Sequence, residues 1–247
     1  RMNPDDKILL PNVISDGGLK FCPYVASSGF LISGNLKLFD KSLLPVLRFN
    51  NADYPIEEAV REDLSRAFKK RFSRKKVRDA VERASYEQQK FVSRVHEKGR
   101  DILEKLKEKG ENVFVSIGRG YTVFDDKANS NIAELFSSNG LHYIPSYFIG
   151  FEDSVVVENM FWYQGKNMIS QLVGTLKDKK LFPIRLTNFN CGPDSILEYH
   201  EERLVERAEK PYLCLETDGH NSNAQFGTRI QAHNRVISNL PEKSVNF

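Results

Sequence analysis

The chain has 247 residues, of which 40% are hydrophobic and 28% charged, a composition typical of globular proteins of one large or two small domains. The net charge of +3 is too small to indicate nucleic-acid binding, and no apolar run reaches the roughly 18 residues of a membrane span. Three widely spaced cysteines and no signal-peptide pattern argue against a secreted disulfide framework. We therefore expect a cytoplasmic protein that binds neither nucleic acid nor membrane.

The first 52 residues predict part of an N-terminal lobe. An apolar run over 7–14 predicts a buried strand that ends at the turn signal of 15–18. Cys22 follows, directly before a proline, and the small residues of 26–34 fit either a loop or a helix start. Strand-like sequence begins almost at once, so we expect the chain to be a piece of a longer protein.

Residues 53–110 predict a hairpin of two long helices. Apolar side chains recur there at helical spacing, with Asp53 and Ser73 as caps and Gly110 at the end. The hairpin carries a dense basic run, 69–71 and 74–76, for which nucleic-acid binding is one interpretation. Acidic residues flank the run and aromatic residues do not interleave with it, which favours a solvated helical face.

Residues 111–247 alternate between strands and helices, and this alternation predicts an α/β domain with a Rossmann-like parallel sheet and flanking helices. The predicted strands are 113–117, 141–144, 182–189 and 213–216, and the predicted helices are 128–138, 160–178, 195–208 and a last one from about 223. The fold class is therefore α/β, with a partial N-terminal lobe and a helical hairpin before the sheet.

Ligands bind outside the carboxyl ends of the strands in open parallel sheets. Four loops follow the predicted strands: Gly118-Arg119-Gly120-Tyr121, Pro145-Ser146-Tyr147, Asn190-Cys191-Gly192-Pro193-Asp194 and Thr217-Asp218-Gly219-His220. They bring a cation, a thiol, carboxylates and an imidazole to one edge of the sheet. The candidate binding residues are Gly118, Arg119, Tyr121, Gly192, Asp218 and His220.

Each candidate also has a purely structural interpretation. In this interpretation Gly118 simply provides a tight turn, and Asp218 simply accepts hydrogen bonds from backbone N–H groups. A single histidine such as His220 is more often structural than functional. The first loop is not a GxGxxG dinucleotide fingerprint. Cys214 lies in the middle of a predicted strand, which is typical of a small core residue.

Cys191 follows a strand and precedes a helix in which Pro193 suits the first turn. Helix N-terminal N–H groups favour a thiolate at this position, which fits a nucleophile or a metal ligand. A buried core role for the thiol is the third interpretation. Cys191 and Cys22 cannot complete a zinc site by themselves, and iron–sulfur clusters usually take four cysteine thiolates.

Five motifs follow one another along the chain in the order in which a known family has similar motifs. They are Cys22-Pro23 after PNVIS, the helical hairpin, GRGY after a strand, the NCGPD turn, and TDGHNSNAQFGTR. The chain is similar over about 7–240 to the 2-hydroxyacyl-CoA dehydratase/benzoyl-CoA reductase family, in particular to the dehydratase-like region of large acyl-CoA dehydratase activase-related proteins. It departs from the family pattern at Gly120, where proline is frequent, and at Gly219, where glutamate is frequent. The change at Gly219 affects substrate chemistry more than cluster binding.

The resemblance implies that Rossmann-like lobes hold a 4Fe-4S or related cluster through cysteines, here Cys22 and Cys191, with a further cysteine expected upstream of Arg1. It implies electron transfer from an ATP-hydrolysing activator protein to an acyl-CoA thioester or another hard-to-reduce small molecule, and a possible dimer. Arg119, Tyr121 and His220 would line the cleft. Two alternatives stay open, a non-catalytic scaffold that docks a partner and a metal-free small-molecule-binding domain.

Overall fold

The computed structural model describes residues 6–50, 53, 55–151, 159–187, 191–217 and 223–240. Contacts divide the chain into two compact units. The first comprises Arg1–Phe91 with Asn159–Gln164, and the second comprises Val92–Glu158 with Gly165–Phe247. Within the described residues, no helix is both long and apolar enough to span a membrane.

The first unit combines short strands with helices. It contains β1 (Ile8–Leu9), β2 (Asn12–Asp16), β3 (Leu19–Lys20), α1 (Pro23–Ala26), α2 (Ser28–Asn35), β4 (Ser42–Leu43), β5 (Val46–Phe49), α3 (Ile56–Ala67) and the first half of α4 (Arg74–Glu108). β2 pairs with β3 antiparallel and with β5 in parallel, and β1 pairs with β4 in parallel. The single strand predicted over 7–14 is divided in two near Pro11, which has no N–H for a sheet ladder.

The second unit is a four-stranded parallel sheet covered by helices, which confirms the predicted fold class. After α4 it contains β6 (Val113–Gly118), α5 (Gly120–Phe124), α6 (Ile132–Ser138), β7 (His142–Pro145), α7 (Tyr163–Leu176), β8 (Leu181–Thr187), α8 (Gly192–Arg207), β9 (Leu213–Glu216) and α9 (Asn223–Ser238). The strand order is β7-β6-β8-β9. The sheet forms the core of this unit.

Alternation along β8 shows how the two faces of the sheet are covered. Phe182, Ile184 and Leu186 lie in one apolar cluster with buried residues of α5, α6 and α9. Arg185 points to the opposite face, where it meets Met168 of α7 and Glu201 of α8. Helices therefore cover both faces, as in doubly wound α/β proteins.

Helix starts are where the predicted and observed elements differ. The helix predicted over 128–138 begins only at Ile132, because the Asn129 side chain accepts a hydrogen bond from the Ile132 N–H and the Asp125 carboxylate accepts two from the turn before it. α8 begins at Gly192, three residues before the predicted start, with Pro193 in its first turn. The strand predicted over 182–189 is observed as Leu181–Thr187, and residues 188–189 lie outside the described part of the chain.

Candidate functional site at the sheet switch point

The strand order places a topological switch point between β6 and β8. From β6 the chain proceeds to β7 on one side, and it returns through α7 to β8 on the other side of β6. The connections that leave β6 and β8 therefore lead to opposite faces and leave a crevice between their carboxyl ends, which is where open α/β sheets bind ligands. Arg119 follows β6 at this edge, and Cys191 precedes α8.

The end of β6 needs glycine for close packing. A Cβ atom at Gly118 would lie 2.6 Å from the carbonyl oxygen of Leu186 on the neighbouring strand. The carbonyl oxygen of Gly118 accepts a hydrogen bond from the hydroxyl of Tyr147, at 3.3 Å. By contrast, a Cβ atom at Gly192 would meet nothing within 4 Å. Gly118 therefore serves the close pairing of β6 with β8, whereas the backbone at Gly192 borders open space.

Arg119 and Asp194 join the two sides of the crevice. Nη2 of Arg119 donates to Oδ2 of Asp194 at 2.6 Å, and the two side chains are only 11% and 3% exposed. Burial opposes the charge on Arg119, but Asp194, Tyr121 and Cys191 together raise the pKa of the guanidinium. Its guanidinium carbon lies 5.1 Å from the ring centroid of Tyr121, which is about half exposed. The loop after β6 is thus held against the first turn of α8.

A second arginine lies beneath this pair. Arg185 is fully buried on β8, and its Nη1 donates to Oε1 of Glu201 at 2.7 Å. Its Nη2 lies 3.4 Å from Oδ1 of Asp194, an ion-pair contact without hydrogen-bond geometry. The hydroxyls of Thr187 and Tyr212 donate to Asp194 and Glu201, at 3.1 and 2.8 Å. One polar network therefore extends from the covered face of the sheet to its carboxyl edge.

The network balances two guanidinium groups against two carboxyl groups. Burial raises the pKa of Glu201, while Arg185 and the Tyr212 hydroxyl act in the opposite direction. Burial, and then the neighbouring Glu201, raise the pKa of Tyr212 well above its ordinary value. Tyr212 is therefore a hydrogen-bond donor at neutral pH, and Asp194 is the member that connects both arginines.

Cys191 occupies the cap position of α8, with its thiol partly buried. Its carbonyl oxygen accepts from the N–H and the hydroxyl of Ser195, at 3.0 and 3.2 Å. The thiol is near enough to Arg119 to contribute to the electrostatics of the guanidinium. Cys191 therefore combines a cap position with a nearby cation, and its side chain makes no hydrogen bond with the described residues of the helix.

The other two cysteines lie elsewhere. Cys22 caps α1 in the first unit, directly before Pro23 in the first helical position, and it is partly buried. Cys214 lies on β9, where its carbonyl oxygen accepts a hydrogen bond from Arg229 and burial strongly raises the pKa of its thiol. A protonated thiol within a strand fits the predicted packing role for Cys214.

The donor set at the edge fits one ligand position of an iron–sulfur cluster. Cys191 supplies one thiol, and Cys22 belongs to the other unit. Across the described parts of the chain, no group of three or more His, Cys, Asp or Glu side chains is arranged to hold a metal ion. A complete ligand set would therefore need donors from beyond the described residues or from another chain.

The structure brings together some of the predicted site residues but not all. Gly118, Arg119 and Gly192 lie at the switch point, with Tyr121 beside Arg119. Asp218 and His220 lie outside the described residues.

Sequence reasoning missed Arg185 and Glu201. Two signals indicate them: Arg185 is the only charged residue in the apolar strand LFPIRLT, and Glu201 follows Asp194 by seven residues, or two turns on the same face of α8.

The fold is a doubly wound α/β fold whose strand order reverses at β6 and β8, the position at which such sheets bind ligands. The chain belongs to the family described as CoA enzyme activase uncharacterised domain (DUF2229), whose model matches residues 3–149. The match covers Cys22 and the loop after β6, whereas β8 and Cys191 lie beyond it. It confirms the activase-related part of the predicted resemblance. No curated protein matches the chain.

Proposed function

We propose that the chain is an iron–sulfur electron-transfer or reductase-type module of this CoA enzyme activase family. It would receive electrons from an ATP-dependent activator and act on an acyl-CoA or another hard-to-reduce small molecule. Cys191 and Cys22 would each provide one cluster ligand, and the remaining ligands would come from outside the described residues. A cluster held there would supply single electrons.

The observation that carries the proposal is the position of Cys191 at the β6/β8 switch point. A nearby cation stabilises a thiolate ligand, and Arg119 lies near Cys191 at the start of α8. Asp194 fixes the guanidinium of Arg119, so the cation keeps one position at this edge. The half-exposed ring of Tyr121 extends the crevice beside Arg119 and provides an aromatic surface for a small molecule.

Iron and acid-labile sulfide analysis after anaerobic purification and reconstitution tests the proposal. We expect both elements to be retained through gel filtration in amounts comparable to the protein. Cys22→Ser should lower this content, because it removes one proposed ligand. Wild-type protein that retains neither iron nor sulfide would contradict the proposal.

The incomplete donor set favours a second candidate, a non-catalytic domain that keeps the fold and docks a partner. This candidate predicts that the reconstituted protein holds no iron above the level of a protein without cysteine ligands. It also predicts that Cys22→Ser and Cys191→Ser change neither the metal content nor the binding of an activator. The same analysis therefore distinguishes the two candidates.

A further inference from the structure

A strongly basic segment in the first unit comprises the connection from α3 and the first residues of α4. Seven of the ten residues of 69–78 are Lys or Arg, and none is acidic. All seven are exposed. We refer to these ten residues as the basic segment.

Nearby acidic residues do not neutralise the basic segment. Arg74 is paired with Glu58, at 3.0 Å, and among the residues that the structure describes no other cation of the segment forms an ion pair. Glu58 is shared with Arg61, and Asp63 on α3 pairs with Arg66 of the same helix. Glu58 and Asp63 are thus paired with arginines of α3 itself, and six of the seven cations of the segment form no ion pair within the described residues.

Folding alone does not account for this arrangement. The first turn of α4 contains Arg74, Lys75 and Lys76 and no acidic residue. Cations at a helix N-terminus are disfavoured by the helix dipole, and neighbouring like charges repel one another. An external anion relieves both effects, because it is attracted to the side chains and to the positive end of the helix.

We propose that the basic segment is a docking surface for an acidic patch on a partner protein. Charge complementarity of this kind steers association and fixes orientation. A nucleic acid fits less well, since the aromatic rings near the cations, Phe68 and Phe72, pack edge to face on each other at 6.3 Å. A membrane surface fits less well too, because Val77 is buried and the half-exposed Phe68 by itself is a small apolar surface for insertion.

Binding of a labelled oligoglutamate peptide to the whole chain tests the proposal, with anionic vesicles and a DNA duplex of matched charge as competing probes. We expect the peptide to bind at low ionic strength and to dissociate as salt is added. Replacing Lys69, Lys70, Arg71, Lys75 and Lys76 by Gln should weaken peptide binding by about tenfold or more. Carbodiimide cross-links from the peptide carboxylates should form at the lysines of the segment.

The control is Lys90→Gln with Arg94→Gln and Lys98→Gln, which removes three exposed cations from a part of α4 that also carries Glu87 and Glu97. This control should leave peptide affinity within about twofold of the wild type. The proposal would be overturned by an absence of peptide binding or by an equal loss of peptide affinity in the control. Cross-links spread over the rest of α4 would overturn it too. It would also be overturned if the substitutions abolished binding of the duplex or the vesicles but left that of the peptide unchanged.

Discussion

Asp194 has the most consequential side chain of the edge, because its carboxylate faces two arginines in a buried setting. Asp194→Asn keeps the shape but leaves Arg119 and Arg185 without their shared counter-charge. Breaking a buried ion pair by removing one partner costs about 3–5 kcal/mol, and we expect a loss of this size in the free energy of unfolding. Chemical denaturation of the whole chain measures it.

The control for Asp194→Asn is Glu111→Gln in the same unit. Glu111 faces His142 across 3.9 Å, and both side chains are about half exposed. Surface pairs contribute about 0–1 kcal/mol, so this variant should unfold almost like the wild type. Equal destabilisation by the two substitutions would show that Asp194 has no special role in the network.

His233 makes the stability of the second unit depend on pH. It is 8% exposed and lies against Phe114, and burial lowers the pKa of its imidazole to about 4 from 6.5. The unfolded chain therefore binds a proton below pH 6.5 that the folded chain accepts only near pH 4. The free energy of unfolding should therefore fall by about 3 kcal/mol because of this residue as the pH is lowered from 6.5 to 4.

Unfolding curves between pH 7 and 4 check the contribution of His233. In His233→Leu this component of the pH dependence should be absent, whereas replacing the exposed His142 by Gln should keep it. A His233→Leu protein that loses stability on acidification as steeply as the wild type would contradict the assignment.

At the level of the elements, Lys210 connects the end of α7 to the start of β8. Its side chain is 7% exposed, and Nζ donates to the carbonyl oxygens of Thr175, Asp178 and Leu181. Burial lowers the pKa of the ammonium group to about 8, so it remains mostly charged at neutral pH. Removing it takes a charged donor from three carbonyl oxygens, of which those of Thr175 and Asp178 keep a backbone N–H partner.

Lys210→Met should therefore destabilise the fold by about 1–3 kcal/mol, because the hydrogen bonds of a buried charged donor are lost. Amide hydrogen exchange should rise first in the last turn of α7 and the first residues of β8. Lys180→Met is the control, because Lys180 donates to one carbonyl oxygen, that of Gly110, at an exposed position. Unchanged exchange in Lys210→Met would refute this role.

Elements were predictable where a local pattern determines them. The apolar runs of β6, β8 and β9 and the helical periodicity of α3 and α4 were visible in the sequence, and the observed sheet is parallel as predicted. The start of α6 was predicted four residues too early, because the side chains of Asp125 and Asn129 form turns that compete with the helix. Such side-chain hydrogen bonds depend on local geometry that residue spacing does not show.

The candidate site was predictable only in part. The carboxyl edge and its loops follow from the alternation of strands and helices, which brings Arg119 and Cys191 to one side of the sheet. The pairing of Arg119 with Asp194 joins residues 75 positions apart, and no local pattern specifies such a partner. The predicted roles of Asp218 and His220 remain predictions, since both lie outside the described residues.

At the scale of the whole molecule, the two units carry different parts of the proposed chemistry. The first holds Cys22 and the basic segment, and the second holds the switch point with Cys191. The family match covers most of the first unit and the beginning of the second, so it includes Arg119 but not Cys191. The assignment of Cys191 therefore depends on the geometry of the edge, and a direct measurement on this residue is the decisive one.

That measurement is the visible absorption of anaerobically reconstituted wild-type, Cys191→Ser and Cys214→Ser proteins. Cys214 is the matched control, since it is a cysteine of the same unit whose thiol lies within a strand and has a raised pKa. The proposal predicts that Cys191→Ser loses the charge-transfer absorption of an iron–sulfur cluster while Cys214→Ser keeps it. An unchanged spectrum in Cys191→Ser, or an equal loss in both variants, would contradict the role of Cys191 as a cluster ligand.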